Sequence, residues 1–377
     1  MEQNKVFPEI KGNFGFGCMR LPMAGEQVDY LEFEKMADKF IAAGFNYFDT
    51  AHGYINGLSE TAIRDVVAKR YSRDKFLLTN KLTTFFFKTQ EEIRPLFESQ
   101  LLACGVDYFD FYLMHAQDKT SYEKYKRTGA YETAYKFKEE GLIKHFGLSF
   151  HDKAEVLDTI LMEHPEVEIV QIQLNYVDFE DASVEARKVY EVCEKYDKPA
   201  VIMEPVKGGS LVNLPESADK ILREAGSGSN ASYALRFAAG FKNVCMVLSG
   251  MSDTTQMEDN LNTMKDFKPL TKKEAAAVDK VCEIFKSLQL IPCTACKYCT
   301  QENKCPKNIR IPDMFSSLNA YEAFHNWNTK YYYNSILTAA GHGKASDCIK
   351  CGMCEKVCPQ HLNIRELLTQ VAAKFEK

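Results

Sequence analysis

The chain has 377 residues, more than one core normally organises, so two domains are expected. A hydrophobic content of 45% and a charged content of 26% fit a globular protein, and a net charge of -5 with no strongly basic stretch argues against a nucleic-acid surface. The opening MEQNKVFPEIKGNFGFG has no apolar signal core and no later run approaches a membrane span, which predicts a soluble cytoplasmic protein without membrane contact.

Up to about residue 265, short apolar runs alternate with longer helical patterns. Strands are expected at Phe14–Leu21, Asn46–Asp49, Phe76–Asn80, Phe109–His115, Lys144–Leu148, Ile169–Gln173, Ala200–Glu204 and Val244–Ser249. Apolar spacing of three and four predicts helices such as Tyr30–Ala43, Thr89–Ala103, Ala130–Glu140, Ala182–Tyr196 and Thr255–Met264. Eight strands and eight helices in alternation imply a (β/α)8 TIM barrel. A doubly wound sheet is the competitor, but no G-x-G-x-x-G follows an early strand. One more helix, Lys272–Leu288, follows the eighth unit, so residues 1–287 are read as the barrel and 288–377 as a small, mainly α-helical domain. The second domain carries Tyr321, Phe324, Trp327, Tyr331, Tyr332 and Tyr333, read as its core and shield in preference to a partner surface.

Barrel chemistry sits at the C-terminal ends of strands. Asp49 ends the second expected strand with Tyr54 five residues on; Lys81 ends the third and His115 the fourth. Taken singly, each has a plain structural reading: a cap, a loop aromatic, a solvated strand end, a core histidine. Four at consecutive strand ends suggest a proton relay. A tyrosine is a poor acid at neutral pH until an ammonium beside it favours the phenolate. Asp49 would keep Lys81 charged, His115 would orient a carbonyl oxygen against Tyr54, and the Tyr54 proton would quench the charge built there by hydride transfer.

Eight of the 13 cysteines form two arrays. Cys293, Cys296 and Cys299 precede Cys305-Pro306; Cys348, Cys351 and Cys354 precede Cys358-Pro359. The second has the C-x2-C-x2-C-x3-C-P spacing of bacterial two-cluster ferredoxins, while the first has five residues before its last cysteine. In that arrangement the fourth cysteine of each array serves the other cluster. Cys358 therefore joins Cys293, Cys296 and Cys299, and Cys305 joins Cys348, Cys351 and Cys354. Zinc would leave the third cysteine of each triplet surplus, and disulfides need an oxidising compartment. The expectation is two 4Fe-4S clusters. Cys18, Cys104, Cys193, Cys245 and Cys282 are read as reduced core residues.

Asp49-Thr50-Ala51-x-x-Tyr54, Ser59-Glu60, Lys81, His115 and Gly15-x-Gly17-Cys18-Met19-Arg20-Leu21-Pro22 resemble the aldo/keto reductase family, over about three quarters of the chain. With the ferredoxin-like tail, the whole resembles an iron–sulfur branch of that family. The resemblance implies a nicotinamide-dependent (β/α)8 oxidoreductase with Asp49, Tyr54, Lys81 and His115 as its tetrad. It implies Met19 and Arg20 at the cofactor, Ser149 and Gln171 at the carboxamide, Val206, Lys207 and Gly208 at the pyrophosphate, and Gly250, Gln256, Asp259 and Asn260 at the adenosine. Three departures stand out. Ile55-Asn56-Gly57-Leu58 lengthens the loop after Tyr54, and His151 stands near the place of a family asparagine. Gly250 and Gln256 stand where members that use NADP carry Lys and Arg, with Lys242 and Lys265 as the remaining cations, so NADPH and NADH both stay open.

The expected substrate is a small-molecule carbonyl or alcohol; no motif addresses oligomeric state. Clusters pass single electrons whereas nicotinamide passes a hydride, so a bridge is required: a flavin, a radical-forming substrate or a redox partner protein. Two other readings stand beside this one: a reductase with purely structural clusters, and an electron carrier whose barrel only binds a ligand or partner.

Overall fold

A computed structural model describes residues 6–182, 184–288, 290–301, 305–324, 328–339 and 341–376. They divide into two compact units: 6–206 with 231–271, and 207–230 with 272–376. A single cut at 287 was expected; instead, 24 residues of the segment after the seventh barrel strand (Lys207–Asn230) pack with the C-terminal unit. Among the described residues, no helix is long and apolar enough to cross a membrane.

The first unit is a closed barrel of eight parallel strands. They are β1 (Phe14–Gly17), β2 (Tyr47–Asp49), β3 (Leu77–Leu82), β4 (Phe109–Gln117), β5 (Ile143–Phe150), β6 (Ile169–Gln173), β7 (Ala200–Met203) and β8 (Val244–Ser249). β1 is shorter than expected because Cys18–Arg20 closes into a 3-10 turn. β3, β4 and β5 run past their expected ends. The loop after β4 contains a helix, Lys119–Arg127, opened by the Asp118 side chain accepting from the Ser121 amide.

Side chains alternate along a strand, so each strand sends every second residue into the barrel. The inner core holds Tyr47, Leu77, Phe111, Leu113, Ile169 and Leu248, and Phe7 and Ile10 belong to the same cluster. The outer faces pack on the helices through Phe33, Phe40, Phe97, Phe137 and their neighbours. Gly147 in β5 leaves no room for a side chain: a Cβ there would strike the Ile169 carbonyl oxygen and lie 2.8 Å from Leu113 Cδ2.

The second unit has its own core, including Ile309, Ile311, Phe315, Tyr333, Ile364, Leu368 and Phe375. Helix Glu216–Ala225 packs on helix Lys272–Leu288, and the Lys273 ammonium donates to the Glu224 carbonyl at 2.6 Å. Of the expected aromatic shield, Tyr333 is core, whereas Tyr331 and Tyr332 are exposed. Those two correct the expectation: they sit on the outer face of a short helix, Asn328–Tyr332. Trp327 and the Phe324 side chain lie outside the described residues.

Candidate active site and cluster-binding loops

Strand parity builds the barrel site. Tyr47 points inward, so Asp49 does too; Leu77 points inward, so Thr79, Lys81 and Thr83 follow. Leu113 faces the interior, and His115 lies two residues beyond it. Register sets the heights: Asp49 pairs with Thr79, Lys81 with Leu113, and Ser149 with Gln171.

The four tetrad candidates converge. The Lys81 ammonium donates to Asp49 Oδ1 at 2.6 Å and to the Thr50 carbonyl at 2.9 Å, and lies 3.2 Å from the Tyr54 hydroxyl. Gln171 Nε2 donates to Asp49 Oδ2 at 3.2 Å. All five residues are buried. Burial opposes the Lys81 ammonium, but Asp49 and then Tyr54 outweigh it and hold its pKa above the ordinary lysine value. The His115 ring stands edge-on to Tyr54 at 5.9 Å, and burial, then the Lys81 charge, then His151 drive its pKa well down. The imidazole is therefore neutral at neutral pH. Its Nδ1 is 2.7 Å from Thr83 Oγ1, a partner the sequence reading missed. The loop after Tyr54 turns through left-handed Ile55, Asn56 and Gly57.

Of the expected cofactor residues, several gather on the first unit. The Ser149 hydroxyl oxygen accepts from the Ala116 amide at 2.7 Å, beside His115. Met19 and Arg20 sit in the turn after β1, where Arg20 pairs with Glu204 at 3.0 Å and its carbonyl accepts from Ser252 Oγ at 2.9 Å. A Cβ at Gly250 would lie 3.5–3.6 Å from the Arg20 stem. Asn260 Nδ2 donates to Ser249 Oγ at 2.8 Å. Asp259 is half-buried on the helix Thr254–Lys265, and Val206 is half-buried at the end of its unit's first segment. Gln256 is committed locally: its amide and side chain both donate to Asp253, at 2.8 and 2.7 Å. Asp253 caps that helix, a role the D-x-x-Q spacing signals. Lys207 and Gly208 belong to the second unit and are not grouped with the others.

In the second unit the cysteines fall into two sets. Cys293, Cys296, Cys299 and Cys358 line one cavity, with Ile311, Phe315 and Ile364 around them. Cys305, Cys348, Cys351 and Cys354 line the other, with Ile349, Met353 and Leu368. No three potential ligands among the described residues converge on a single ion, whereas four thiols facing one cavity suit a multi-iron core. Of the remaining cysteines, Cys18, Cys104, Cys193 and Cys245 are buried, and Cys282 is half-buried.

The two sets are built by one backbone pattern used twice. Left-handed residues stand two and four positions after the first cysteine of each array: Ala295 and Lys297, then Lys350 and Gly352. Each Cys-Pro is followed by a left-handed residue, Asn308 or His361, whose amide donates to the cysteine carbonyl at 2.8 or 3.0 Å. Each turn then feeds a helix that opens on isoleucine, Ile311–Phe324 or Ile364–Phe375.

A closed parallel barrel carrying a buried Asp-Lys-Tyr contact with a histidine alongside, and a separate unit with two four-thiol sites, define a two-part redox class of protein. The family model described as "Aldo/keto reductase family" matches residues 13–283, and the one described as "4Fe-4S dicluster domain" matches residues 292–363. The chain therefore belongs to the aldo/keto reductase family, whose members are NAD(P)-dependent oxidoreductases, and it carries a C-terminal 4Fe-4S domain. It is 27% identical over 208 residues to "Uncharacterized oxidoreductase YtbE" of Bacillus subtilis, covering 55% of this chain and 68% of that protein. It is 33% identical over 106 residues to "4-dihydromethyl-trisporate dehydrogenase" of Mucor mucedo, covering 27% of this chain and 30% of that one. Among solved structures, the holo form of aldo-keto reductase AKR11C1 from Bacillus halodurans matches with a TM-score of 0.59 at 21% identity, over 74% of this chain and 95% of that one. An aldo-keto reductase from Klebsiella pneumoniae, in complex with NADPH, matches with a TM-score of 0.57 at 17% identity, over 71% and 90%.

Proposed function

We propose that the barrel reduces the carbonyl of a small molecule, or oxidises the matching alcohol, with a nicotinamide bound beside Tyr54. The observation that carries this reading is the buried chain of contacts from Asp49 through Lys81 to the Tyr54 hydroxyl. When bound, NADPH or NADH supplies the hydride. Tyr54 gives its proton to the substrate oxygen as charge builds there. The Lys81 ammonium favours the phenolate left behind, and Asp49 holds that ammonium charged. Neutral His115 orients the carbonyl oxygen. Ser149 still has a hydroxyl proton, and Gln171 a carbonyl oxygen, for a carboxamide. Met19, Arg20 and Val206 flank the middle of the dinucleotide, and Gly250, Gln256, Asp259 and Asn260 its adenosine end. That an aldo-keto reductase of this fold has been solved in complex with NADPH supports a nicotinamide as the cofactor.

In the second unit, Cys293, Cys296, Cys299 and Cys358 hold one 4Fe-4S cluster and Cys305, Cys348, Cys351 and Cys354 the other. The cavities these two sets line support that pairing. Bound clusters supply one-electron transfer, so a flavin, a radical-forming substrate or a redox partner protein completes the link to two-electron chemistry.

The test uses anaerobic full-length protein with 4-nitrobenzaldehyde as the probe carbonyl and NADPH or NADH as reductant. Tyr54→Phe is expected to lower turnover about 10²- to 10⁴-fold while nicotinamide binding, read by fluorescence quenching, persists. Unchanged turnover would sink the proposal in favour of a barrel that only binds a ligand. Iron, sulfide and flavin quantitation on the same sample tests the cluster count and identifies a flavin if one is the bridge.

A further inference from the structure

Thr83 lies just past the end of β3, two residues beyond Lys81 and on the same inward face. It is 8% exposed and His115 is 4% exposed. Its Oγ1 stands 2.7 Å from His115 Nδ1, and among the described residues this is the only hydrogen bond the hydroxyl makes. That single partner decides the direction of the bond. Were Nδ1 protonated, the threonine oxygen would accept and its own O–H would be left buried without an acceptor, a cost of about 1–3 kcal/mol. With the hydroxyl donating, both groups are satisfied.

We propose that Thr83 is a positioning residue: it donates to Nδ1 of His115 and so holds the ring in the tautomer whose Nε2 carries the proton. This rests on the reading of His115 as the group that orients the substrate oxygen. The choice matters because the imidazole is neutral. A cationic ring would present a proton on both nitrogens whatever Thr83 did; a neutral ring has one proton and must be told where to keep it. With Nδ1 as acceptor, the proton sits on Nε2, the tautomer in which that nitrogen can donate to a carbonyl oxygen set against Tyr54. With the tautomers exchanged, Nε2 would meet that oxygen with a lone pair and repel it. Lys81, whose ammonium already donates to Asp49 and to the Thr50 carbonyl, is not a substitute donor for that position.

The experiment compares parent, Thr83→Ser and Thr83→Val as full-length holoprotein labelled with ¹⁵N-histidine. In the parent, His115 should show a protonated-type Nε2 and an unprotonated-type Nδ1 near neutral pH. Thr83→Ser should keep that signature and turnover of 4-nitrobenzaldehyde within about threefold. Thr83→Val should mix the tautomers and lower kcat about tenfold or more, with nicotinamide affinity unchanged. A parent spectrum with Nδ1 protonated, or a Thr83→Val spectrum identical to the parent's, overturns the assignment even if carbonyl reduction is observed. A tautomer that shifts in Thr83→Val while no form reduces the aldehyde sustains the role of Thr83 on His115 and overturns the reduction reading instead. Iron content and thermal midpoint, measured on each variant, separate these results from misfolding.

Discussion

Lys81 shows how one residue answers to both stability and the proposed chemistry. Its ammonium is buried and satisfied by Asp49 Oδ1, the Thr50 carbonyl and Tyr54, so removing it leaves the Asp49 carboxylate buried with Gln171 as its remaining donor. Lys81→Met is therefore expected to destabilise the protein by about 3–5 kcal/mol, the usual cost of stripping one partner from a buried pair. Tyr54→Phe leaves that pair intact and should cost far less. Urea unfolding of the two variants distinguishes them, and equal midpoints would contradict a desolvated ion pair. The convergence of Asp49, Tyr54, Lys81 and His115 was legible in the sequence because three of them mark the ends of apolar runs, and the end of a barrel strand is where polar residues need a reason. Thr83 was not legible for a definite cause. The expected strand stopped at Asn80, whereas β3 reaches Leu82, and only the longer strand puts Thr83 on the inward face with Lys81. An alternation carried three residues further would have found it. Its bond to His115 depends on a rotamer, which no spacing reveals.

At the scale of elements, β5 and β6 are tied at their starts by a charged network that belongs to stability. His145 in β5 bonds Glu168 at 3.1 Å through Nδ1 and Glu9 at 2.5 Å through Nε2. Burial opposes the charged imidazole, but Glu168 and then Glu9 prevail and raise its pKa. Burial likewise opposes the Glu168 carboxylate, yet bonds from His145 and Lys138 lower its pKa to about 2. The signs are opposite for the two groups. The raised histidine contributes stability that is full below its unfolded pKa of about 6.5 and fades as pH rises through the folded value. The lowered glutamate contributes stability that is full above its unfolded pKa of about 4.3 and fades as pH falls toward 2. Their joint contribution is thus largest between about pH 4.5 and 6.5. Substituting His145→Phe should flatten the decline of the thermal midpoint above that window and weaken the acid limb, which persists in part through Lys138 and the Phe146 amide; a decline above the window that persists unchanged would assign it elsewhere. The eight strands were read from apolar runs because strands buried on both faces can hardly be anything else. The helix Lys119–Arg127 escaped because seven of its nine residues are Lys, Arg, Glu, Ser or Thr, so little apolar rhythm shows.

Across the whole molecule, the division of the chain follows packing and not sequence order. After Val206 the chain enters the second unit for residues 207–230 and then returns to the first. No linear reading of domains finds such an excursion, because a boundary is sought where composition changes and here it does not. The excursion makes Gly208 a testable position. Its φ of +62° already disfavours any side chain, and a Cβ would strike the Thr294 carbonyl oxygen and lie 2.8 Å from the carbonyl carbon. Thr294 is backbone between Cys293 and Cys296, the start of a set of four thiols, so it has little freedom to retreat. Gly209 provides the control: its φ is +96°, yet a Cβ there meets nothing within 4 Å. Both Gly208→Ala and Gly209→Ala carry the left-handed penalty of about 1 kcal/mol, and only the first displaces the cysteine loop. Gly208→Ala should therefore lose iron and sulfide per chain and visible absorbance under anaerobic isolation, toward half of the parent if one of two clusters is affected. Gly209→Ala should keep the parent's content. Equal losses would trace the effect to backbone strain alone, and full content in both would mean that the loop carrying Cys293 and Cys296 adjusts to a methyl group without cost to the site.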